Sequence, residues 1–240
     1  MVKIYIDAGH GGNDPGAVGN GLCEKDLTLD IAKRIKKYLD DNYTGHTVKL
    51  SRTTDKTMSL KQRTDDANKW GADFLLSIHI NAGGGTGYED FIYNGLSNSS
   101  GTAKLRDTIH TEIVKELSVW RNRGKKKANF HMLRESRMAA MLSENGFIDT
   151  KADADRLKSS AFLNKIAKGH GEGLAKAFKL KRKPKPKPKP SKSSKPSTKV
   201  DKNTFYRVVA GSYNDRNNAD AQVAKLKKAG FDSFIDVYKK

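Results

Sequence analysis

Apolar residues in this chain fall into short runs, separated by stretches in which they recur every three or four positions. Val2 to Asp7 reads as a strand, with Ile4 and Ile6 flanking Tyr5. Leu27, Ile31, Ile35, Tyr38 and Leu39 repeat at helical spacing, with Lys33, Arg34, Lys36 and Lys37 on the other side, predicting an amphipathic helix from about Asp26 to Asn42. Thr47 to Ser51 is a short strand, and Ser59 with Gln62 forms a capping box opening a helix through Trp70. Asp73 to Ile80 is nearly continuously apolar, as expected for a strand covered on both faces. Tyr88 to Tyr93 predicts another strand, and Leu105, Ile109, Ile113, Val114 and Leu117 mark a third helix. Arg121 to Lys127 reads as a basic loop, followed by the short segment Phe130 to Leu133 and an apolar strand, Met138 to Phe147. A last helix spans about Ser160 to Phe178, its propensity lowered by Gly169, Gly171 and Gly173.

Strands alternating with helices predict an α/β domain with a mostly parallel central sheet and helices on both faces, whose ligands bind beyond the C-terminal strand ends. Lys183 to Pro190, KPKPKPKP, abandons globular composition for an extended, self-repelling spacer. Beyond it Tyr206 to Tyr213 reads as a strand, Ala219 to Ala229 as a helix and Asp232 to Val237 as a strand, a small β-α-β module. The expected domains are residues 1–180, a Lys/Pro/Ser-rich linker 181–203 and the module 204–240. A unit of about 37 residues lies below the ~40 at which a domain usually needs outside help, so self-association or folding onto a partner is expected of it.

Charge changes the picture of the partners. The 240 residues carry a formal charge of +19, and Lys179 to Lys202 alone holds ten Lys and one Arg against a single Asp. Such a surplus favours polyanions: nucleic acid, an anionic membrane, or acidic wall polymers. A single cysteine, Cys23, excludes an intrachain disulfide. No basic and apolar leader opens the sequence, and no apolar run approaches the ~20 residues that span a bilayer. Synthesis in the cytoplasm without a signal peptide or membrane anchor is therefore expected.

The candidate chemistry lies at predicted strand ends. Asp7 and His10 enter the glycine-rich turn Gly9, Gly11, Gly12; Glu24 precedes the first long helix; His79 closes the run FLLSIHINA. Two imidazoles and a carboxylate, with water in the fourth position, make an open zinc site of the catalytic kind. Asp7 and Asp14 are alternative ligands, though Asp7 is better placed to orient an imidazole. Cys23 is a softer alternative, but it points away from Glu24 in an extended stretch. Glu144, ending an apolar run, suits a general base. His131 is read as substrate-side or structural, whereas His46, His110 and His170 are read as surface residues with no role.

Taken together, DAGHGGNDPGAVGNGLCEKDLTLDIAKRI, LSRTTD, LKQRTDDANKWGADFLLSIHINA, RGKKKANFHMLRES and MLSENGFIDT closely resemble the zinc-dependent N-acetylmuramoyl-L-alanine amidases of the amidase-3 family. The resemblance covers nearly all of Met1 to Leu180 in order. It implies that His10, Glu24 and His79 bind Zn2+ and that Glu144 is catalytic; Asp7, Asn81, His131 and Arg134 are candidates for places behind the ligands or on the substrate side. Ala8 replaces the family's usual proline, and MAAMLSENGF lacks another; neither departure touches a ligand. The turn after His79 is too short for the regulatory helical insertion of some relatives, which implies an open site. FYRVVAGSYNDRNNADAQVAKLKKAGFDSFIDVY resembles half of a SPOR-type peptidoglycan-binding repeat. The whole layout is similar to that of Bacillus sporulation autolysins and phage endolysins.

The expected activity is hydrolysis of the amide between N-acetylmuramic acid and L-alanine in peptidoglycan. The linker is expected to add attraction to anionic wall polymers such as teichoic acid. Rival readings are a different zinc-dependent wall peptidase, or a cationic wall- or nucleic-acid-binding protein; nucleic acid is not the expected partner, because much of the charge sits in the linker.

Overall fold

In the computed structural model, which describes residues 1–184 and 211–237, the apolar runs become a six-stranded sheet. β1 (Val2–Ala8) is buried on both faces from Ile4 onward. A short hairpin, β2 (Val18–Gly19) and β3 (Leu22–Cys23), leads into α1 (Glu24–Asn42), whose Leu27, Ile31, Ile35 and Leu39 are buried as their spacing predicts. β4 (Tyr43–Thr44) and β5 (His46–Leu50) precede α2 (Leu60–Trp70), where the Ser59 and Gln62 capping box is formed. β6 (Phe74–Asn81) and β7 (Tyr88–Tyr93) are followed by α3 (Gly101–Glu116) and β8 (Asn122–Ala128). The short α4 (His131–Arg134) leads to β9 (Ala139–Phe147), then α5 (Lys151–Leu157), α6 (Ser160–Ala177) and β10 (Lys181–Arg182).

The strand order is β5-β1-β6-β9-β7-β8. β5, β1, β6 and β9 are parallel, while β7 joins β9 antiparallel and β8 runs parallel to β7. One sheet edge therefore collects the C-terminal ends of β1, β6 and β9 with the N-terminal ends of β7 and β8. Ile4, Ile6 and Ile78 pack on one face with residues of α1, α3 and α6, and Tyr5, Leu75 and Leu142 on the other with residues of α2 and α4. This is the expected α/β sheet with helices on both faces.

Four local expectations are corrected. The basic stretch Arg121 to Lys127 is not a loop: Asn122 to Ala128 is the edge strand β8, with its register set by β7. Its lysines suit an edge, where charge discourages further pairing. Helix α5 carried no periodic signal and was not expected. The linker does not begin at 181, because β10 pairs antiparallel with β4 and Lys183 N–H donates to Asn42 O at 2.7 Å.

The fourth correction concerns histidines. His110 and His170 are buried rather than on the surface, and the His46 side chain is largely covered. His110 Nδ1 lies 2.5 Å from the buried Asp90 carboxylate. His170 donates from Nδ1 to Ile166 O and accepts the Ser143 hydroxyl at Nε2, 3.1 Å away. Burial pushes the His170 imidazole down to about 4. Its folded value thus lies below the unfolded ~6.5, so protons bind the unfolded chain preferentially, and stability complete above that value drains away as pH falls towards 4. Urea unfolding should show wild type losing about 2 kcal/mol through this group between pH 7 and pH 5. His170→Gln should flatten that slope; an unchanged slope would remove His170 as its source.

Chain contacts separate Met1–Lys185 from Pro186–Lys240. In the second unit the expected helix is present as α7 (Arg216–Lys228), capped by Asp215 and with no buried residue. Asp232 to Val237 is not a strand among the described residues. The Lys-Pro spacer from Lys185 and residues 206–210 of the other expected strand lie outside the described residues.

Candidate metal and catalytic site

β1 ends at Ala8 and delivers His10 into a tight turn, where it takes φ of 60°. Such backbone is costly for a non-glycine residue and persists only when its surroundings hold it. Two arginines do so. Arg52 donates to Ala8 O and Gly9 O, and Arg63 donates to Ala8 O and His10 O. Both are buried. Arg63 also binds Asp7 Oδ1 at 2.8 Å, and Ser77 donates to Asp7 Oδ2.

Glu24 is the first residue of α1, placed by the β2–β3 hairpin. Its Oε2 accepts Ala17 N–H at 2.8 Å, and its Oε1 accepts Ile80 N–H at 2.9 Å. The same Oε1 lies 3.2 Å from His10 Nε2 and 3.0 Å from His79 Nδ1. The three donor atoms of His10, Glu24 and His79 fall within 4.8 Å of one another. The imidazole rings meet edge to face, 4.9 Å between centroids. Burial opposes charge on Glu24, yet both histidines and the Ala17 N–H hold its carboxyl well below the usual range. Burial alone would lower His10, but Glu24 and Asp14 outweigh it and raise the imidazole to about 9.

The group that orients an imidazole is Asp14, not Asp7 as the sequence suggested. Asp14 Oδ2 lies 2.8 Å from His10 Nδ1, and Asp14 Oδ1 accepts Gly16 N–H. Asp7 is spent on Arg63 and Ser77. Two glycines make the close approach possible. A Cβ on Gly9 would fall 2.4 Å from His79 Cε1, and one on Gly16 2.6 Å from Glu24 Oε2.

Glu144 stands beside His79 in the β6–β9 register, one step before β9 gains an extra residue relative to β6. Its Oε2 is buried and has no hydrogen-bond partner among the described residues. Burial raises its carboxyl to about 7, with His79 opposing the shift and Glu24 and Glu89 adding to it. Of the remaining candidates, Asn81 binds Glu89 Oε1 at 2.8 Å on the same sheet edge. His131 and Arg134 are not brought to the cluster: His131 Nε2 meets the Thr64 hydroxyl at 3.3 Å, and Arg134 binds Asn129 and Glu135. Cys23 Sγ donates to Pro15 O. A cleft of about 400 Å³ flanks His10 and His79, walled by Thr57, Met58, Leu60 and Gln62.

Sequence reasoning did not single out Arg52, Arg63 or Glu89. Arg63 had a signal: it shares the buried stripe of α2 with Thr64 and Ala67, where an unpaired guanidinium would be costly.

The donor set suits a divalent ion that prefers nitrogen and oxygen ligands in an open site: two imidazoles and one carboxylate, with the glycines leaving room for all three. A family described as N-acetylmuramoyl-L-alanine amidase matches residues 4–176, and a SPOR domain matches residues 169–236, beginning inside α6. The chain is 48% identical over 237 residues to the N-acetylmuramoyl-L-alanine amidase CwlM of Bacillus licheniformis, covering 98% of this chain and 85% of that one. It is 46% identical over 235 residues to the sporulation-specific N-acetylmuramoyl-L-alanine amidase of Bacillus subtilis (strain 168), covering 98% and 84%. Among solved structures, the N-acetylmuramoyl-L-alanine amidase of Clostridium difficile 630 superposes with a TM-score of 0.70 at 35% identity, covering 74% of this chain and 97% of that one.

Proposed function

The chain belongs to the N-acetylmuramoyl-L-alanine amidase family, and from that premise we propose that it works through Zn2+ held by His10, Glu24 and His79, with Glu144 as general base and then general acid. It is a peptidoglycan hydrolase that cleaves the amide between N-acetylmuramic acid and L-alanine. The observation that carries the metal reading is the convergence of His10 Nε2, His79 Nδ1 and Glu24 Oε1.

A bound zinc supplies Lewis acidity, lowering the pKa of an attacking water towards ~7 and polarising the scissile carbonyl. With zinc bound, Asp14 would hold the remaining His10 proton on Nδ1, 2.8 Å away, so that Nε2, which faces Glu24, could turn its lone pair to the metal. Glu144 takes the water's proton at its buried Oε2, which has no hydrogen-bond partner among the described residues, and passes it to the alanine nitrogen as the C–N bond breaks. The products are a lactyl carboxylate and a free alanine amine. Arg52 and Arg63 keep the His10 turn rigid while this happens, because every carbonyl of Ala8 to His10 has a charged donor.

The division into a catalytic body, a cationic linker and a wall-binding module belongs to the same reading, with the body carried through Lys183. It is supported by the SPOR match and by the charge of residues 179–202. The exposed Phe231, Phe234 and Val237 support self-association or glycan contact by the module. Action at the wall agrees with the relatives, and no helix among the described residues is long and apolar enough to cross a membrane.

One assay tests the reading. Chelator-treated protein should fail to clear peptidoglycan-rich walls, and added zinc should restore clearing with new alanine amines among the fragments. In the same assay, adsorption to teichoic-acid-bearing walls should weaken as salt rises. Clearing that survives full metal removal would overturn the zinc role, and salt-independent adsorption would overturn the linker's.

A further inference from the structure

Beside Glu144 lies a pair of cations that the hydrolysis itself does not use. Glu89 sits directly opposite Glu144 in the antiparallel β7–β9 register and is 4% exposed. Its Oε2 accepts Arg123 Nε at 2.7 Å and Lys126 Nζ at 2.5 Å, while Asn81 donates to Oε1. Burial opposes its charge, but the two cations hold the Glu89 carboxyl below its ordinary range. One buried carboxylate thus anchors two partly exposed cations, and the group keeps an unbalanced positive charge.

Arg123 is the member built for recognition. It is the extra residue where the β7–β8 register shifts, between the Tyr88 and Glu89 pairings. Its guanidinium lies over the Phe147 ring, 4.8 Å from the centroid. Among the described residues its side chain makes one hydrogen bond, through Nε, so Nη1 and Nη2 make none. A guanidinium pinned at Nε, stacked on a ring and open at its terminal nitrogens presents the fork that binds a carboxylate bidentately.

Its place agrees with the direction in which the substrate must leave. Glu144 hands its proton to the alanine nitrogen, so the departing peptide begins at Glu144. From β9 across β7 to β8 is two strand spacings, about 9.6 Å, and the arginine side chain spans part of that gap. In an extended peptide a carboxylate on the residue after alanine lies within about 7 Å of the alanine nitrogen. The geometry points to Arg123, supported by Lys126, as the subsite for a free carboxylate on the stem-peptide residue that follows L-alanine, selecting carboxylate over carboxamide there. This rests on the proposed role of Glu144 at the leaving nitrogen.

The test is kcat/KM on two N-acetylmuramoyl dipeptides that differ only in carboxylate or carboxamide on the second residue, using the zinc-loaded full chain. Wild type should favour the carboxylate by about 10- to 100-fold, the range of a charged hydrogen-bonded pair. Arg123→Gln should erase most of that preference, lowering kcat/KM for the carboxylate substrate far more than for the carboxamide. Arg123→Lys, which keeps charge but loses the fork, should retain an intermediate preference. A wild type indifferent to the two substrates, or variants that lower both equally, would overturn the subsite. Failure of the Glu144 reading looks different: Glu144→Gln would then turn over both substrates, with the carboxylate preference intact.

Discussion

Glu144→Gln should keep its zinc and its fold and lose at least about 10³-fold in amide hydrolysis. General acid–base catalysis contributes typically 10²- to 10⁴-fold, and in the proposed mechanism one side chain serves both halves of the proton transfer. The carboxyl is raised to about 7 by burial, so it can hold the proton it takes and give it up again near neutral pH. Glutamine fills the same volume without being able to accept that proton. Stability should change little, because the neutral amide relieves the burial of a charge whose Oε2 has no partner among the described residues. Metal analysis and a thermal melt, beside fragment release from walls, check all three statements. Turnover within tenfold of wild type would take Glu144 out of the mechanism.

The place of that carboxylate beside His79 was legible in the sequence, because an acid ending an apolar strand of such a sheet lies at the strand ends where His79 also lies. His10, Glu24 and His79 were legible for a similar reason, lying where strands and helices of an α/β sheet converge. Less visible were features fixed by tertiary context. Asn122 to Ala128 has no alternating apolar pattern, and only its pairing with β7 makes it a strand. Asp7 and Asp14 differ in role through a turn geometry that spacing does not encode. Gly169, Gly171 and Gly173 signalled weak helix propensity, yet their use is packing. A Cβ on Gly173 would fall 2.8 Å from Ile109 Cα, one on Gly169 3.0 Å from Ile113 Cα, and one on Gly171 2.3 Å from the Tyr38 ring. The missing side chains let α6 lie against α3 and α1, and that close approach carries His170 into the core.

Glu24→Gln should have the opposite signature to Glu144→Gln: the metal is lost first, and activity with it. Glu24 Oε1 is the atom on which both imidazoles converge, and each carboxylate oxygen also accepts a backbone N–H, from Ile80 and from Ala17. An amide can satisfy only one of those two donors; whichever way it turns, its NH2 group faces an N–H. The cost is of order 1–3 kcal/mol of stability for the donor left without an acceptor. Zinc affinity should fall by more than the 10- to 100-fold typical of losing a residue that merely supports a ligand. Since a ligand that binds only the folded state raises the melting temperature, added zinc should stabilise wild type and Glu144→Gln and leave Glu24→Gln unmoved. The melt therefore tests the proposed roles of the two neighbouring carboxylates without reference to turnover: one to hold the ion and the other to move the proton. Unaltered zinc content in Glu24→Gln would break that assignment and return the ligand position to Asp14, the acid already bonded to His10.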